Sequence, residues 1–384
     1  PFWLKEFGSS PLRCFFEFIF FLTTKFLSMI RPSGREVTLF NDEHFSQLRQ
    51  LAGVSDDFVN SGWSFESLES GGAKGGCLMA FLGAEYVVKE LSSGDHESLL
   101  QITESYVEHI RGGDTTLCAI LLHFQDQATG RKFFAMRNVM GSGPFLAMYD
   151  LKGCNDDKTL ELFGRKIRAA SKMLSHCGQW CGTVGSEYAY DEFSSGKWAA
   201  ARVNLVVTDA QRKDVLRRIR RDTAWLKSHD LMDYSMLVGV KSGPPGFTEG
   251  NHVGRLPLAR SCRDGSEVAV CVGIIDFLQK WNWKKMVART IKCAECNKAT
   301  IPPNAYAMRF CEYFEDHFIS TTNEKCKKAN VEVELTPVAK LPTLLSDHGL
   351  GNCTLGKSAS EHMNEEGVPL EQPFTTYMGA SPFS

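Results

Sequence analysis

The sequence predicts an α+β fold in two lobes, built from antiparallel sheets with flanking helices. Three observations carry that expectation. The chain has 384 residues, more than one ordinary domain, so it can bury a sizeable core. Its first half alternates helical periodicity with short apolar runs bounded by turn residues, the pattern of a helix packed on an antiparallel sheet. Its second half opens at MYDLKG and reads as richer in helix. With 43% hydrophobic and 23% charged residues the composition is that of a globular chain, which excludes bulk disorder and a fibrous architecture. Lys and Arg number 43 against 45 Asp and Glu, a net charge of -2, so the total charge points to no nucleic-acid partner. The 13 cysteines form no regular framework, which favours a reducing, cytoplasmic compartment over a disulfide-stapled secreted one. The chain begins with Pro1 rather than Met, as a fragment or a processed product would.

Along the chain, Leu12 to Ile30 is a Phe-rich stretch carrying Glu17 and Lys25. Its polar residues share one helical stripe, which leaves three readings open: a helix packed on its own domain, an interfacial membrane helix or a transmembrane segment. We take residues 1–36 as this hydrophobic or amphipathic segment. A helix then follows Phe40, with Phe45, Leu48 and Leu51 on one face and a stop at Gly53. Residues 70 to 91 give a glycine-rich turn, SGGAKGG, between a polar connection and two strands, the second being YVVKEL. A helix from Glu97 to Arg111 and the strands LCAILLHF and KFFAMRNVM complete a smaller lobe over residues 37–143. The larger lobe spans 144–330. It holds a helix from Asp209 to Lys227, the apolar segment LMDYSMLVGV, a Gly- and Pro-rich loop, and a second apolar run, VAVCVGIIDFLQ. Residues 331–384 lose periodicity and read as a low-complexity, disordered tail.

Lys89, Asp233 and Asp276 each lie in an apolar run, where an isolated charge is expensive and calls for a partner, a metal or a charged ligand. Phosphoryl transfer uses this kit. It needs a glycine turn that lets backbone approach phosphates, here Gly71, Gly72, Gly75 and Gly76, a strand lysine, an aspartate for Mg²⁺ and an aspartate to orient the nucleophile. The residues occur in the kinase order. Each has an ordinary alternative: a flexible hairpin for the glycines, a snorkelling surface lysine for Lys89, a helix cap for Asp276. Cys293 and Cys296 form a CxxC without a second pair, which makes a weak zinc signal.

MYDLKG (148–153), LMDYSMLVGV (231–240), VGIIDFLQ (272–279) and PPNAYAMRF (302–310), in that order, resemble the phosphatidylinositol phosphate kinase family. SGGAKGG followed by VVKEL, SYVEHI (105–110) and FAMRNVM (134–140) add to the resemblance, which covers about residues 40 to 320. It implies a two-lobed protein-kinase-like fold and an enzyme that uses ATP and Mg²⁺ to phosphorylate a phosphatidylinositol monophosphate on an anionic membrane surface. Phosphatidylinositol 4-phosphate, phosphorylated at the 5-position, is the expected substrate, and a 5-phosphate 4-kinase or a 3-phosphate 5-kinase is the alternative. By the same resemblance Lys89 meets the ATP phosphates, Asp233 is the catalytic-loop aspartate and Asp276 binds magnesium. Lys152 lies near the transferred phosphate or the inositol headgroup, with Asp150 positioning its loop. Residues Lys280, Lys284, Lys285, Arg289 and Lys292 occupy the activation segment that engages lipid, with Trp281 and Trp283 at the interface. The implied location is cytoplasmic, peripheral to a membrane, with the plasma membrane foremost and a homodimer allowed.

The chain departs from the family pattern. The glycine turn lacks the usual serines, Cys154 replaces a serine, and Asp95, with Glu97 as its rival, stands roughly where the family has a glutamate that pairs the strand lysine. These changes motivate a contrasting reading, a catalytically weak pseudokinase that serves as a membrane scaffold. A second basic stretch, Arg212 to Arg221, is either another membrane-facing surface or a helix face laced with i,i+4 pairs.

Overall fold

A computed structural model of the chain describes residues 30–70, 78–141, 143, 145–167, 171–174, 180–184, 200–201, 203–242, 256–261, 267–282 and 300–320. The expectations for residues 1–29, the glycine turn 71–77, the CxxC, Trp283, most of the basic run after Trp281, and the tail lie outside those residues.

Two six-stranded sheets organise the molecule. The first contains β1 (Val37–Leu39), β2 (Glu69–Ser70), β3 (Leu78–Leu82), β4 (Tyr86–Glu90), β5 (Ile120–Asp126) and β6 (Lys132–Arg137), in the spatial order β1-β5-β6-β4-β3-β2. All of its pairings are antiparallel. Helix α1 (Asp42–Leu51) lies beside β5, and α2 (Ser93–Arg111) packs on α1. The strands β5 and β6 read as continuous apolar runs because both faces are covered. Leu121 and Phe134 join the main core with Phe45, Leu48, Leu99 and Ile102 of the helices. Leu122, Phe124, Phe133 and Ala135 form a second core on the opposite face with Val59, Leu82 and Val88. Helix α2 begins four residues ahead of the predicted start, because the Ser92 hydroxyl accepts a bond from the Asp95 N–H at 3.2 Å and caps it.

The second sheet contains β7 (Ala147–Leu151), β8 (Lys158–Leu162), β9 (Arg165–Lys166), β13 (Ser235–Ser242), β14 (Leu256–Ser261) and β15 (Glu267–Ile275), in the order β14-β15-β13-β7-β8-β9. The second half thus adds a sheet of its own to its helices. Small ladders pair β10 (Ser171–Leu174) with β11 (Trp180–Val184), and β12 (Leu205–Val207) in parallel with β16 (Phe318–Ser320). Helix α3 (Asp209–Ser228) has a capping box between Thr208 and Gln211, and α4 (Pro303–His317), opened by Pro302 and Pro303, packs on it.

The two sheets meet through backbone. Cys118 N–H donates to the Ile274 carbonyl at 2.9 Å, and Ile274 N–H donates to the Thr116 carbonyl at 2.7 Å. Close by, the fully buried Asp222 of α3 accepts the Thr116 N–H at 2.6 Å and the Thr115 hydroxyl at 2.7 Å, and lies 2.7 Å from His109 Nε2 on α2. Such a buried carboxylate is tolerable only with its acceptor sites filled, and here the partners fix α3 to the α2–β5 connection.

The basic stretch on α3 faces the protein's own acceptors. Arg217 bonds Asp114 and Asp214 at 2.7 and 2.6 Å, Arg218 bonds Asp214 at 2.8 Å, and Arg220 bonds Glu315 at 2.7 Å. Arg212 Nη2 donates to the Glu315 carbonyl at 2.8 Å, and Arg221 Nη2 to the His109 carbonyl at 3.2 Å. One of these, Arg218 with Asp214, is an i,i+4 pair, and most of the others tie the helix to residues outside it. No helix among the described residues is long and apolar enough to cross a membrane.

Candidate active site

Strand register brings the predicted residues together. On β13, Ser235 faces Ile275 of β15 and Met236 faces Leu151 of β7. Lys152, Asp233 and Asp276 therefore emerge at the same end of three adjacent strands. Asp233 precedes β13 and Asp276 follows β15, so neither sits inside a strand as the apolar pattern suggested; Lys89 does, in β4. Past the two aspartates the segments pair again, with Met232 N–H donating to the Gln279 carbonyl at 2.9 Å and Trp281 N–H to the Asp230 carbonyl at 2.8 Å. The aspartates occupy the gap between two paired stretches. Both adopt left-handed backbone, with φ of 64° at Asp233 and 59° at Asp276. Aspartate tolerates that region better than most residues, and strain of this kind persists where surrounding structure imposes it.

Two cation–carboxylate pairs result. Lys89 Nζ reaches from the first sheet to Asp276 Oδ1 at 2.5 Å, with 20% and 45% of the two side chains exposed. Lys152 Nζ pairs with Asp233 Oδ1 and also donates to the Asp233 carbonyl at 2.9 Å, with 17% and 7% exposed. Burial alone would lower the Lys152 ammonium, but the facing carboxylates of Asp233 and Asp150 outweigh it and hold the group above its ordinary value. Asp150 is likewise buried, which would raise it, yet Lys158 at 2.8 Å and Lys152 hold it below the usual carboxylate range.

The loop after β7 needs its glycine. Gly153 has φ +68°, and a Cβ there would lie 2.9 Å from Tyr313 Cβ on α4. On the far side of Asp233, the Tyr306 hydroxyl donates to the Tyr234 carbonyl, and the Tyr234, Tyr306 and Phe310 rings pack edge to face at 4.5 and 4.9 Å. The PPNAYAMRF segment thus buttresses the MDYS segment.

Other predicted residues lie elsewhere. The Asp95 carboxylate accepts the Ser92 hydroxyl at 2.8 Å at the start of α2, and the carboxylate against Lys89 is Asp276. Lys280 donates to Gln101 of α2, and its backbone bridges to Leu231. Trp281 is partly buried and packs against the main core. Gly71, Gly72, Gly75, Gly76, Lys284, Lys285, Arg289 and Lys292 lie outside the described residues. Sequence reasoning missed Asp157, whose Oδ1 accepts the Lys152 N–H at 2.5 Å. The Asn-Asp-Asp turn after Cys154 was its only sequence signal.

Among the described residues no cluster of three or more His, Cys, Asp or Glu is arranged to hold a metal. Mg²⁺ is ordinarily held by one or two carboxylates together with phosphate oxygens and water, and the part-exposed Asp276 offers one such carboxylate. The donor set therefore fits a magnesium ion that arrives with a nucleotide.

Lysines and two aspartates converging from two sheets are the residue types that phosphoryl transfer uses. The sequence model of the family described as Phosphatidylinositol-4-phosphate 5-Kinase matches residues 63–256 and 247–317, and the chain belongs to that family. The chain is 21% identical over 76% of its length to the 1-phosphatidylinositol 3-phosphate 5-kinase of Saccharomyces cerevisiae, covering 12% of that protein. It is 25% identical over 64% of its length to the phosphatidylinositol 4-phosphate 5-kinase of Plasmodium falciparum, covering 15% of it. To the human 1-phosphatidylinositol 3-phosphate 5-kinase it is 23% identical over 73% of its length, covering 12%. The chain spans less than a fifth of the length of these relatives.

Proposed function

We propose that this chain is a lipid kinase of two-lobed, protein-kinase type that transfers the γ-phosphate of ATP to the 5-hydroxyl of a phosphatidylinositol monophosphate. The smaller lobe would be residues 37–143 and the larger 144–330. The observation that carries the reading is the convergence of Lys89, Lys152, Asp233 and Asp276 from two sheets. Mg²⁺, when bound at Asp276, supplies neutralising charge to the phosphates. The Lys89 ammonium, paired with a part-exposed carboxylate, would exchange that contact for a phosphate oxygen. Asp233 orients the ring hydroxyl and takes its proton as the oxygen–phosphorus bond forms and the bond to the leaving ADP oxygen breaks. Lys152 holds Asp233 and adds positive charge where negative charge develops.

Both kinds of relative carry a name ending in 5-kinase, which supports the ring position. For the phosphate already on the ring, the family description and the Plasmodium relative favour the 4-phosphate. The yeast and human relatives favour the 3-phosphate, which makes phosphatidylinositol 3-phosphate the second reading. The expected place of action is a membrane surface reached peripherally.

The test is transfer of label from γ-labelled ATP to vesicles carrying one monophosphoinositide at a time. Magnesium-dependent labelling of the 4-phosphate lipid supports the first reading, and preference for the 3-phosphate lipid the second. Binding to vesicles with no labelling of any of them would instead support the scaffold.

A further inference from the structure

The loop that carries Lys152 is closed by a carboxylate with no part in the chemistry described so far. Asp157 is buried, with 6% of its surface exposed. Its Oδ1 accepts the Lys152 N–H at 2.5 Å, and its own N–H donates to the Cys154 carbonyl at 2.9 Å. Residues 152–157 therefore form a turn tied at both ends, immediately after β7 and against Tyr313 at Gly153. The Lys152 ammonium leaves this turn to meet Asp233. A long, four-carbon side chain keeps one direction only if its backbone is fixed, and here a buried carboxylate fixes it.

We propose that Asp157 is a positioning residue for phosphoryl transfer, holding the turn so that the Lys152 ammonium stays aimed at Asp233. The inference rests on the lipid-kinase reading for its turnover arm only. Burying a carboxylate without a cation bonded to it costs free energy that a purely structural turn avoids by using asparagine or serine. Burial pushes Asp157 up to about 7, against the lowering effect of the backbone N–H groups of Lys152 and Cys154. The groups facing it are Asp150, which pushes it further up, and Arg309 of α4, which draws it down. The Cys154 thiol is itself pushed up to about 12 by burial and stays neutral. Asp157 therefore changes charge close to neutrality while Lys152 and Asp150 keep theirs.

The test compares two substitutions. Asp157→Leu removes the acceptor at similar volume, and Asp157→Asn keeps an oxygen for the Lys152 amide while removing the titration. On vesicles with a monophosphoinositide, Asp157→Leu should lose about tenfold or more in kcat while KM for ATP stays within about twofold. Asp157→Asn, which keeps an acceptor oxygen for the Lys152 N–H, should keep most of kcat from about pH 6 to about pH 8. A folded Asp157→Leu protein with native kcat, or an Asp157→Asn protein that loses as much kcat as the leucine variant, overturns the proposal. Should the leucine variant not fold, Asp157→Ala replaces it in every arm.

A second readout needs no turnover. With lysines carrying ¹³C at Cε, and the Lys152 signal assigned through Lys152→Arg, the raised titration midpoint of Lys152 should fall in Asp157→Leu and persist in Asp157→Asn. An unchanged midpoint in the leucine variant overturns the proposal. If the native chain labels no phosphoinositide and the midpoint still falls, the kinase reading fails and the positioning role stands.

Discussion

Lys89 with Asp276 and Lys152 with Asp233 are chemically the same pair in two settings. The first joins the two sheets across 187 residues and leaves 45% of the Asp276 side chain to solvent. The second leaves 7% of Asp233 exposed and adds a bond from the same ammonium to the Asp233 carbonyl at 2.9 Å. A part-exposed pair is screened more than a buried one and contributes less, so on the proposed reading an incoming triphosphate would displace it at the smaller cost. A buried pair is another matter: removing one partner strands the other, at about 3–5 kcal/mol. The difference separates two duties. On the proposed reading, one contact would be exchanged during nucleotide binding, while the other keeps an aspartate at a fixed angle.

The largest effect that sharpens this contrast is Asp233→Asn, expected to lower phosphate transfer about 10³-fold while vesicle binding is kept. Native-rate turnover by that protein would remove Asp233 from its role. Next, Lys152→Met should destabilise the fold by about 3–5 kcal/mol in denaturant titration, whereas Lys89→Met should cost under about 1 kcal/mol and instead raise KM for ATP. Equal stability losses would erase the distinction between the pairs. Gly153→Ala should cost about 1–3 kcal/mol, from a left-handed backbone and a close approach to Tyr313, and should reduce kcat through the displaced Lys152. The smallest effect concerns pH. Asp157 is raised from 3.8 to about 7, so the folded state binds more protons than the unfolded state across that window and loses stability as pH rises through it. Asp157→Asn should therefore gain melting temperature relative to the native chain at pH 8 and not at pH 4.

Much of the site was legible because charge in apolar sequence has few ordinary uses. Lys89, Asp233 and Asp276 stood out on that ground alone, and register then placed the last two at one sheet end beside Lys152. What stayed hidden depends on contacts far apart in sequence. Arg212 to Arg221 looks like a lipid-facing run, yet its arginines bond Asp114, His109, Glu315 and one another's neighbour Asp214. Asp95 stands near the place of an expected lysine partner, but its distance from Ser92 decides its use: three residues on, it completes a helix start.

The backbone bonds from residues 116–118 to Ile274 lie two residues ahead of Asp276. Were one sheet to tilt against the other with these bonds intact, the tilt would turn about this stitch, as a door turns about a hinge pin. Atoms close to a rotation axis travel little, so Asp276 stays nearly still through such a tilt. Lys89, carried on a strand of the other sheet, sweeps a longer arc, and of the two partners in that contact the lysine is the one that travels.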